Sequence, residues 1–362
     1  MAWKVYWQVF VGGANATIGM RPYLQEIEVV DRAGIESDRC RLVFDDSKGQ
    51  LFLPKPKTLI KVLLNGVVIF DGVVDSTPWR LTRGGGRVLE VNAKAFDTRG
   101  KAIEPQFWHL DDKPLSEALK KAGKLAGIDV TVDPELGQIV RDYWSPAGMH
   151  FIEWGERLRA ELGATFKIKG GTEAVLAKRG SGKSVTGAAL PVVRGVCGQG
   201  GNVISVNIDP SKGRPRAKTK RVRWFDRKAA KFVEKDVTIE MPDVGEAIDT
   251  QRWLAADKDH AKDMADGHKS DAERDAGVGQ VEIDLDPTAM AEGGFTLSGA
   301  RPGIDGLYRI SGATQRANRG GGAVTQLDLA QPQEGAGKDT RKPTTSALKP
   351  PANVPVPTPA PR

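Results

Sequence analysis

Residues 60–74, IKVLLNGVVIFDGVV, constrain the fold more than any other stretch of this chain. Asn65-Gly66 stands between two runs rich in β-branched and large apolar residues. A type I′ hairpin turn needs positive φ at both central positions, and Asn-Gly supplies it. Antiparallel sheet is therefore required here, and the rest of residues 1–105 agrees. Trp3, Val5, Trp7 and Val9 alternate onto one face, with Tyr6 and Phe10 on the other. RCRLVF (39–44) reads as a further strand, and RGGGRVLEVNAKAF as a glycine loop at 84–86 followed by another. The segment predicts an antiparallel barrel or sandwich.

The pattern changes at residue 106. PLSEALKKAGKLAG places Leu115, Leu119, Ala122 and Ala126 at helical spacing, with Asp112 to cap the start and Gly127 to end it. IDVTV follows as a strand. The order recurs in HFIEWGERLRAELGATFKIKG. There Phe151, Trp154, Leu158 and Leu162 share a helix face, Gly163 stops it, and Ala164, Phe166 and Ile168 alternate. Residues 106–170 thus predict a small α/β insert of two helix–Gly–strand units.

β signals return over 171–330, in VTGAALPVVRG, NVISVNID, KRVRWF, DVTIEM, QVEIDLD, GGFTLSG, GLYRISGATQ and GAVTQLDLA. One interruption, about 247–276, reads as a charged helix whose apolar anchors are Trp253, Leu254, Ala261 and Met264. Eight of the 22 prolines fall within 331–362, which predicts a Pro-rich disordered tail with no core of its own. The whole is mainly β, with two β domains flanking a small insert.

Composition limits the chemistry. Hydrophobic residues make up 40% and charged residues 27%, a soluble balance, and no run of 18 apolar residues exists to span a membrane. The start lacks the apolar core of a secretory signal. Cys40 and Cys197 lie far apart and fit reduced thiols. His109, His150, His260 and His268 are too scattered for a metal site. His260 and His268 fall on the charged helix near Asp257, Asp263 and Asp266, about 12 Å apart along its axis, on what reads as a solvated face.

AKRGSGKS (177–184) is the sharpest motif. A phosphate-binding loop needs G-x-x-x-x-G-K-[ST] leaving a strand and opening a helix. Here the first glycine is Ala177, and Gly187 and Pro191 break any helix after Ser184. The string predicts a basic hairpin tip. The basic run 211–223 holds Lys212, Arg214, Arg216, Lys218, Lys220, Arg221 and Arg223 without an acid. It offers phosphate contacts, or else a charged edge that discourages strand addition. The glycine clusters at 84–87 and 198–201 read as turns, since no helix follows either. Asp45-Asp46 and Asp111-Asp112 sit beside turns, and no serine or cysteine nucleophile has a base nearby in pattern. No catalytic, cofactor-binding or metal-binding residue is assigned, and no enzyme activity is expected.

The order of elements resembles the phage late control D protein family, the baseplate hub of contractile tails. The likeness is carried by DRCRLVFDDSKGQLFLPKPKTLIKVLLNG (38–66), PLSEALKKAGKLAGIDVTVD, FIEWGERLRAELGATFKIKGG, AVLAKRGSGKSVTGAALP and GIDGLYRISGATQRANRGGGAVTQLDLA (303–330). It covers about 1–330. In similar proteins a polar, often basic loop precedes an S-x-x-G-x-x-L-P-like segment, here Ser184, Gly187, Leu190 and Pro191. The resemblance implies two tail-tube-like β-barrel domains per chain, and a homotrimer that joins a sixfold tail tube to a threefold spike. The N-terminal half of type VI secretion spike proteins is similar. Implied partners are the tail tube protein, the spike protein and other baseplate proteins, with DNA only in transit through the channel and the virion as location. The implied lumen passes a duplex, so its wall should favour acids and neutral polar groups, with loops 178–183 and 212–223 on the rim or exterior. The competing expectation is a nucleic-acid-binding regulator using 211–223, for which no reading module such as a helix-turn-helix is evident.

A phosphate-loop lysine neutralises nucleotide phosphates and its loss is severe. Lys183→Ala should leave assembly intact, and calorimetry should detect no ATP binding before or after the change.

Overall fold

The computed structural model describes residues 3–33, 38–97, 99–210, 212, 215, 217–226, 228–239, 244–252, 254–274, 278–333 and 336. Strands make up 49% of it and helices 16%, the mainly β composition expected.

The first half holds β1 (Trp7–Val11), β2 (Ala14–Asn15), α1 (Thr17–Met20), β3 (Leu24–Arg32), β4 (Arg39–Asp45), β5 (Leu59–Leu64), β6 (Val67–Ser76), β7 (Trp79–Thr82) and β8 (Gly86–Lys94). The insert holds β9 (Leu110–Pro114), α2 (Leu115–Ala126), β10 (Asp129–Val132), α3 (Pro134–Gly137), β11 (Val140–Trp144), α4 (Phe151–Leu162), β12 (Ala164–Lys169) and β13 (Glu173–Lys178). The second half holds β14 (Val192–Val196), β15 (Val203–Ile208), β16 (Ala217–Asp226), β17 (Lys231–Thr238), β18 (Ala247–Thr250), α5 (Lys258–Arg274), β19 (Gly279–Asp284), β20 (Gly294–Ser298), β21 (Gly306–Asn318) and β22 (Gly322–Gln333).

Asn65 and Gly66 take φ of 49° and 82°, and the β5–β6 hairpin forms as its turn residues require. In the first half the strands pair in the order β3-β4-β8-β6-β5-β1, with β7 continuing β6 along β8. Inward residues such as Val9, Leu24, Ile27, Leu42, Val62 and Val91 form its core. The second half has its own core, including Val281, Ile283, Phe295, Tyr308, Ile310 and Leu327. Its order is β15-β19-β22-β21-β20-β14, the same connectivity taken in the same chain order. The match extends to detail. Arg83-Gly84-Gly85-Gly86 and Arg319-Gly320-Gly321-Gly322 both turn a hairpin closed by a pair, Thr82↔Gly86 and Asn318↔Gly322. A β-bulge lies at Leu24/Glu26 in one half and at Val203/Ser205 in the other. One pair departs: β1–β5 is antiparallel, β14–β20 parallel.

The two helix–Gly–strand units form as read. Gly127 and Gly163 end α2 and α4 in the left-handed region at φ 72° and 57°. Their strands do not pair with each other. β13 lies between them, parallel to β10 and antiparallel to β12. Ala174 and Leu176 of β13 bury against the insert's helices, so the structural unit runs past the expected boundary at 170 to Lys178. Asp112 does not cap α2. It lies in β9 at φ 50°, and Pro114 holds the cap position, where its fixed φ suits a helix start.

The charged helix also differs from expectation. Residues 247–250 form β18 beside β16, and α5 begins only at Lys258. Pairing with β16 satisfies the backbone that a helix would otherwise have held. Ala261 and Met264 are buried anchors, Leu254 is exposed, and Trp253 lies outside the described residues. At the C-terminal end, β22 continues to Gln333, opposite Leu307, and Ala336 packs beside Gly306. The rest of the expected tail, 334–335 and 337–362, lies outside the described residues.

α5 crosses α4 at Gly267. A Cβ there would stand 2.8 Å from the Ala160 carbonyl oxygen and 2.9 Å from the Gly163 nitrogen. Gly267→Val should therefore destabilise the chain by about 1–3 kcal/mol despite the lost glycine entropy, read as a lowered urea midpoint.

Candidate functional site

The described residues hold no cluster of three or more potential metal ligands, and no helix among them is long and apolar enough to cross a membrane. The features that stand out are seams between parts of the chain, and strand edges left open.

The principal seam is β3 against β21. Seven residue pairs, from Gly312↔Arg32 to Asn318↔Glu26, run antiparallel and merge the two halves into one sheet. Ile27 and Ala317 face each other there, both fully buried. Arg316 donates to Glu28 at 2.7 Å across the joint. Arg319, at the β21–β22 tip, donates its backbone N–H to the Gln25 carbonyl (2.8 Å) and its guanidinium to the Pro22 carbonyl (2.6 Å).

A second seam holds the insert to the first half. Lys167 of β12 reaches Asp31 of β3 and Asp38, the latter at 3.1 Å, in a largely buried triad. The Ala291 N–H of the second half donates to Asp31 at 3.0 Å, so all three parts meet at this carboxylate. Burial raises the Asp31 carboxyl, but Lys167 and the Ala291 amide outweigh it and hold the pKa low. Asp38 goes the other way. Burial, helped by the Asp31 charge, pushes it up to about 7 against the pull of Lys167.

A third seam joins α5 to the insert. Glu161 of α4 accepts from Arg141 (2.9 Å) and Arg157 (2.8 Å) and meets His260 Nε2 at 3.2 Å. His260 Nδ1 accepts from the Ala256 N–H, so the proton of the neutral ring sits on Nε2 and is donated to Glu161. Arg179 pairs with Asp271 of α5 and donates to the Ala164 carbonyl at 2.6 Å. His260 is thus buried at 7% exposure, not on a solvated face; the packing of α5 on α4, which no local pattern encodes, turns it inward. His268 is half-buried, and burial lowers its pKa.

The remaining sequence candidates have structural surroundings. AKRGSGKS leaves β13 and enters a tight hairpin, with Gly180 and Gly182 at φ 77° and 63°, a Lys183↔Ala189 bridge and Leu190 N–H donating to Gly182 O at 2.8 Å. No helix follows it. Asp45 accepts from the Ser47 amide in a turn, whereas Asp46 is buried and accepts from Trp79 Nε1 at 3.0 Å. Asp111 and Asp112 are exposed on β9. His150 caps α4, its Nδ1 accepting from the Glu153 N–H. Cys40 is buried, which raises its thiol, and Cys197 is half-buried. Gly198 and Gly200 shape the β14–β15 turn. Of the basic run, Ser211, Gly213, Arg214 and Arg216 lie outside the described residues. On β16, Lys220 pairs with Asp249 at 2.5 Å, and Arg221 with Asp236 and Glu234 at 2.7 and 3.0 Å.

With this geometry in hand, similarity to solved structures is informative. A prophage MuSo2 43 kDa tail protein from Shewanella oneidensis superposes with a TM-score of 0.68 at 14% identity, over 90% of this chain and 98% of that one. A tail protein from Neisseria meningitidis MC58 gives 0.69 at 13% identity, over 90% and 96%. The E. coli c3393 protein, a type VI secretion component similar to the T4 tail proteins gp27 and gp5, gives 0.54 at 11%, over 92% and 79%. The fold is that of phage tail proteins. It is the fold the late control D resemblance implied, shared with the type VI secretion apparatus. No protein-family model and no curated protein sequence matches the chain.

Burial raises the Glu161 carboxyl, but the His260 hydrogen bond and the Arg141 charge prevail and hold it well below its usual 4.5. A depressed carboxylate contributes stability that is present above its unfolded pKa and lost as pH falls below it. Glu161→Gln should cost about 3–5 kcal/mol at pH 7, since it strands the buried Arg141 guanidinium. The gap to wild type should narrow below pH 4.5, in urea melts across pH.

Proposed function

We propose that this chain is the structural hub of a phage-type tail baseplate. Three copies form a ring that joins a sixfold tail tube to a threefold spike, with DNA passing through its lumen, and it performs no catalysis. The observation that carries this reading is the duplication: two six-stranded halves of one connectivity lie edge to edge in a single chain. Three such chains supply six similar positions around an axis while keeping threefold symmetry, and closed cyclic symmetry prevents runaway polymerisation. Similarity over nearly the full length of two tail proteins, one of them from a prophage, supports the same conclusion. On this reading the partners are the tail tube protein, the spike protein and other baseplate proteins, and the location is the virion.

A nucleic-acid-binding regulator is the less favoured reading. The described cations at the strand end of the 211–223 run include Lys220 and Arg221, both already paired with acids of β17 and β18. Ion pairs of this kind compete with phosphate contacts.

Light scattering and negative-stain microscopy over a concentration series should give a trimer and ring-shaped particles. A monomer at every concentration, alone and with the tube and spike proteins added, would falsify the hub reading.

A further inference from the structure

The joint between the two halves uses a strand edge that the chain presents twice. β15 is the counterpart of β3, and β7 with the end of β6 is the counterpart of the outer part of β21. The paired ladders fix this residue by residue. Val91 and Leu327 stand five residues beyond Gly86 and Gly322 in the matching hairpins. Val91 pairs with Leu42, which pairs with Ile27; Leu327 pairs with Val281, which pairs with Val206. Val206 therefore corresponds to Ile27, and Leu81 corresponds to Ala317. Within the chain Ile27 and Ala317 are partners. Val206 and Leu81 both lie on edges with no strand beyond them among the described residues.

Resting on the ring reading above, we propose that β15 of each copy adds antiparallel to β7 of the next, with Val206 opposite Leu81 of the neighbouring copy. Exposure supports the assignment. In the internal joint Ala317 is 0% exposed and Gln315 4%, whereas their counterparts Leu81 and Trp79 stand 61% and 45% exposed. Large apolar side chains at open positions equivalent to buried ones mark an interface not yet made. The chemistry of the edges agrees. β17, another open edge in the same half, carries Lys231, Glu234, Lys235 and Asp236, the charges that keep edges from pairing. β15 reads VISVNI, with no charge and no proline. Arg83 heads the β7–β8 tip just as Arg319, which clasps carbonyls of the first half, heads its own.

Directly opposed residues in antiparallel strands have Cα atoms about 4.5–5.5 Å apart, within disulfide range. Leu81→Cys with Val206→Cys, in a Cys197→Ser background, should on oxidation give covalent dimers and trimers on a non-reducing gel. Leu81→Cys with Asn207→Cys, one residue out of register, should give far less. Leu81→Arg should weaken self-association at least tenfold, whereas Leu125→Arg, at an exposed leucine of the insert, should not. If the wild type forms trimers but the matched pair does not cross-link and Leu81→Arg still assembles, the strand assignment is wrong and the hub reading survives. If no oligomer forms under any condition, both fall together.

Discussion

The antiparallel ladder between β3 and β21 is the constraint on which the rest of the molecule depends. It joins residues about 290 positions apart in sequence, and without it each half would carry one more open edge. Burying Ile27 contributes about 1.5–3 kcal/mol by removing a large aliphatic side chain from water, and the backbone pairs satisfy groups that would otherwise be stranded in a dry interior. The ladder also orients the halves. A register slip of one residue would turn Ile27 outward and Glu28 into the core, so the side-chain alternation fixes the alignment. Because so much sequence separates the partners, loop closure must be offset before the joint yields any stability, and it should form late in folding.

The other seams are made differently. The cores are apolar, but where the insert meets α5 and the two halves, the contacts include buried ion pairs, Lys167 with Asp31 and Asp38, Arg179 with Asp271 and Glu161 with Arg141, and a hydrogen bond from His260 to Glu161. Such pairs gain little over packed hydrocarbon, yet removing one partner is costly because the other remains dry and charged. Their geometric demand is narrow, so they hold the insert and α5 at set positions on the sheet. At Asp31 one carboxylate takes a lysine from the insert and an amide from the second half, which ties the placement of the insert to formation of the β3–β21 joint.

What was legible in the sequence was local. Asn65-Gly66 announced its hairpin, Gly127 and Gly163 announced the ends of two helices, and the missing first glycine at Ala177 told a phosphate loop from a hairpin tip. The mainly β class with a small insert followed from those signals. The misreadings were tertiary. Glu173–Lys178 is a good strand whose partners nothing local names, and the structure gives it to the insert. His260 looked solvated because its neighbours in sequence are charged, and only α4, about 100 residues earlier, makes it a buried donor. The duplication was implied by the family resemblance alone, not by any residue pattern. Apart from the two Arg-Gly-Gly-Gly tips, the halves share pairing and a bulge position rather than residues, since a sheet constrains inward and outward character far more than identity.

That divergence has a structural use. The link between β3 and β4 is short, residues 33–38, whereas its counterpart between β15 and β19 carries β16, β17, β18 and α5 as an arm. The first half is followed by the insert, which has no counterpart among the described residues of the second, and α5 of the arm packs on α4 of the insert. Among the described residues each chain therefore presents two similar halves but one insert and one arm, braced together by the Glu161 cluster. In the proposed ring of three chains, six alike halves would surround the axis while the insert and arm recur three times. On the proposed hub reading, a mismatch between sixfold and threefold neighbours would be met by fusing two copies of one domain and letting the loops of each diverge. In such a ring the sheet would keep the higher pseudo-symmetry because its ladder pattern tolerates sequence change, and the loops would lower it because they carry no ladder to preserve.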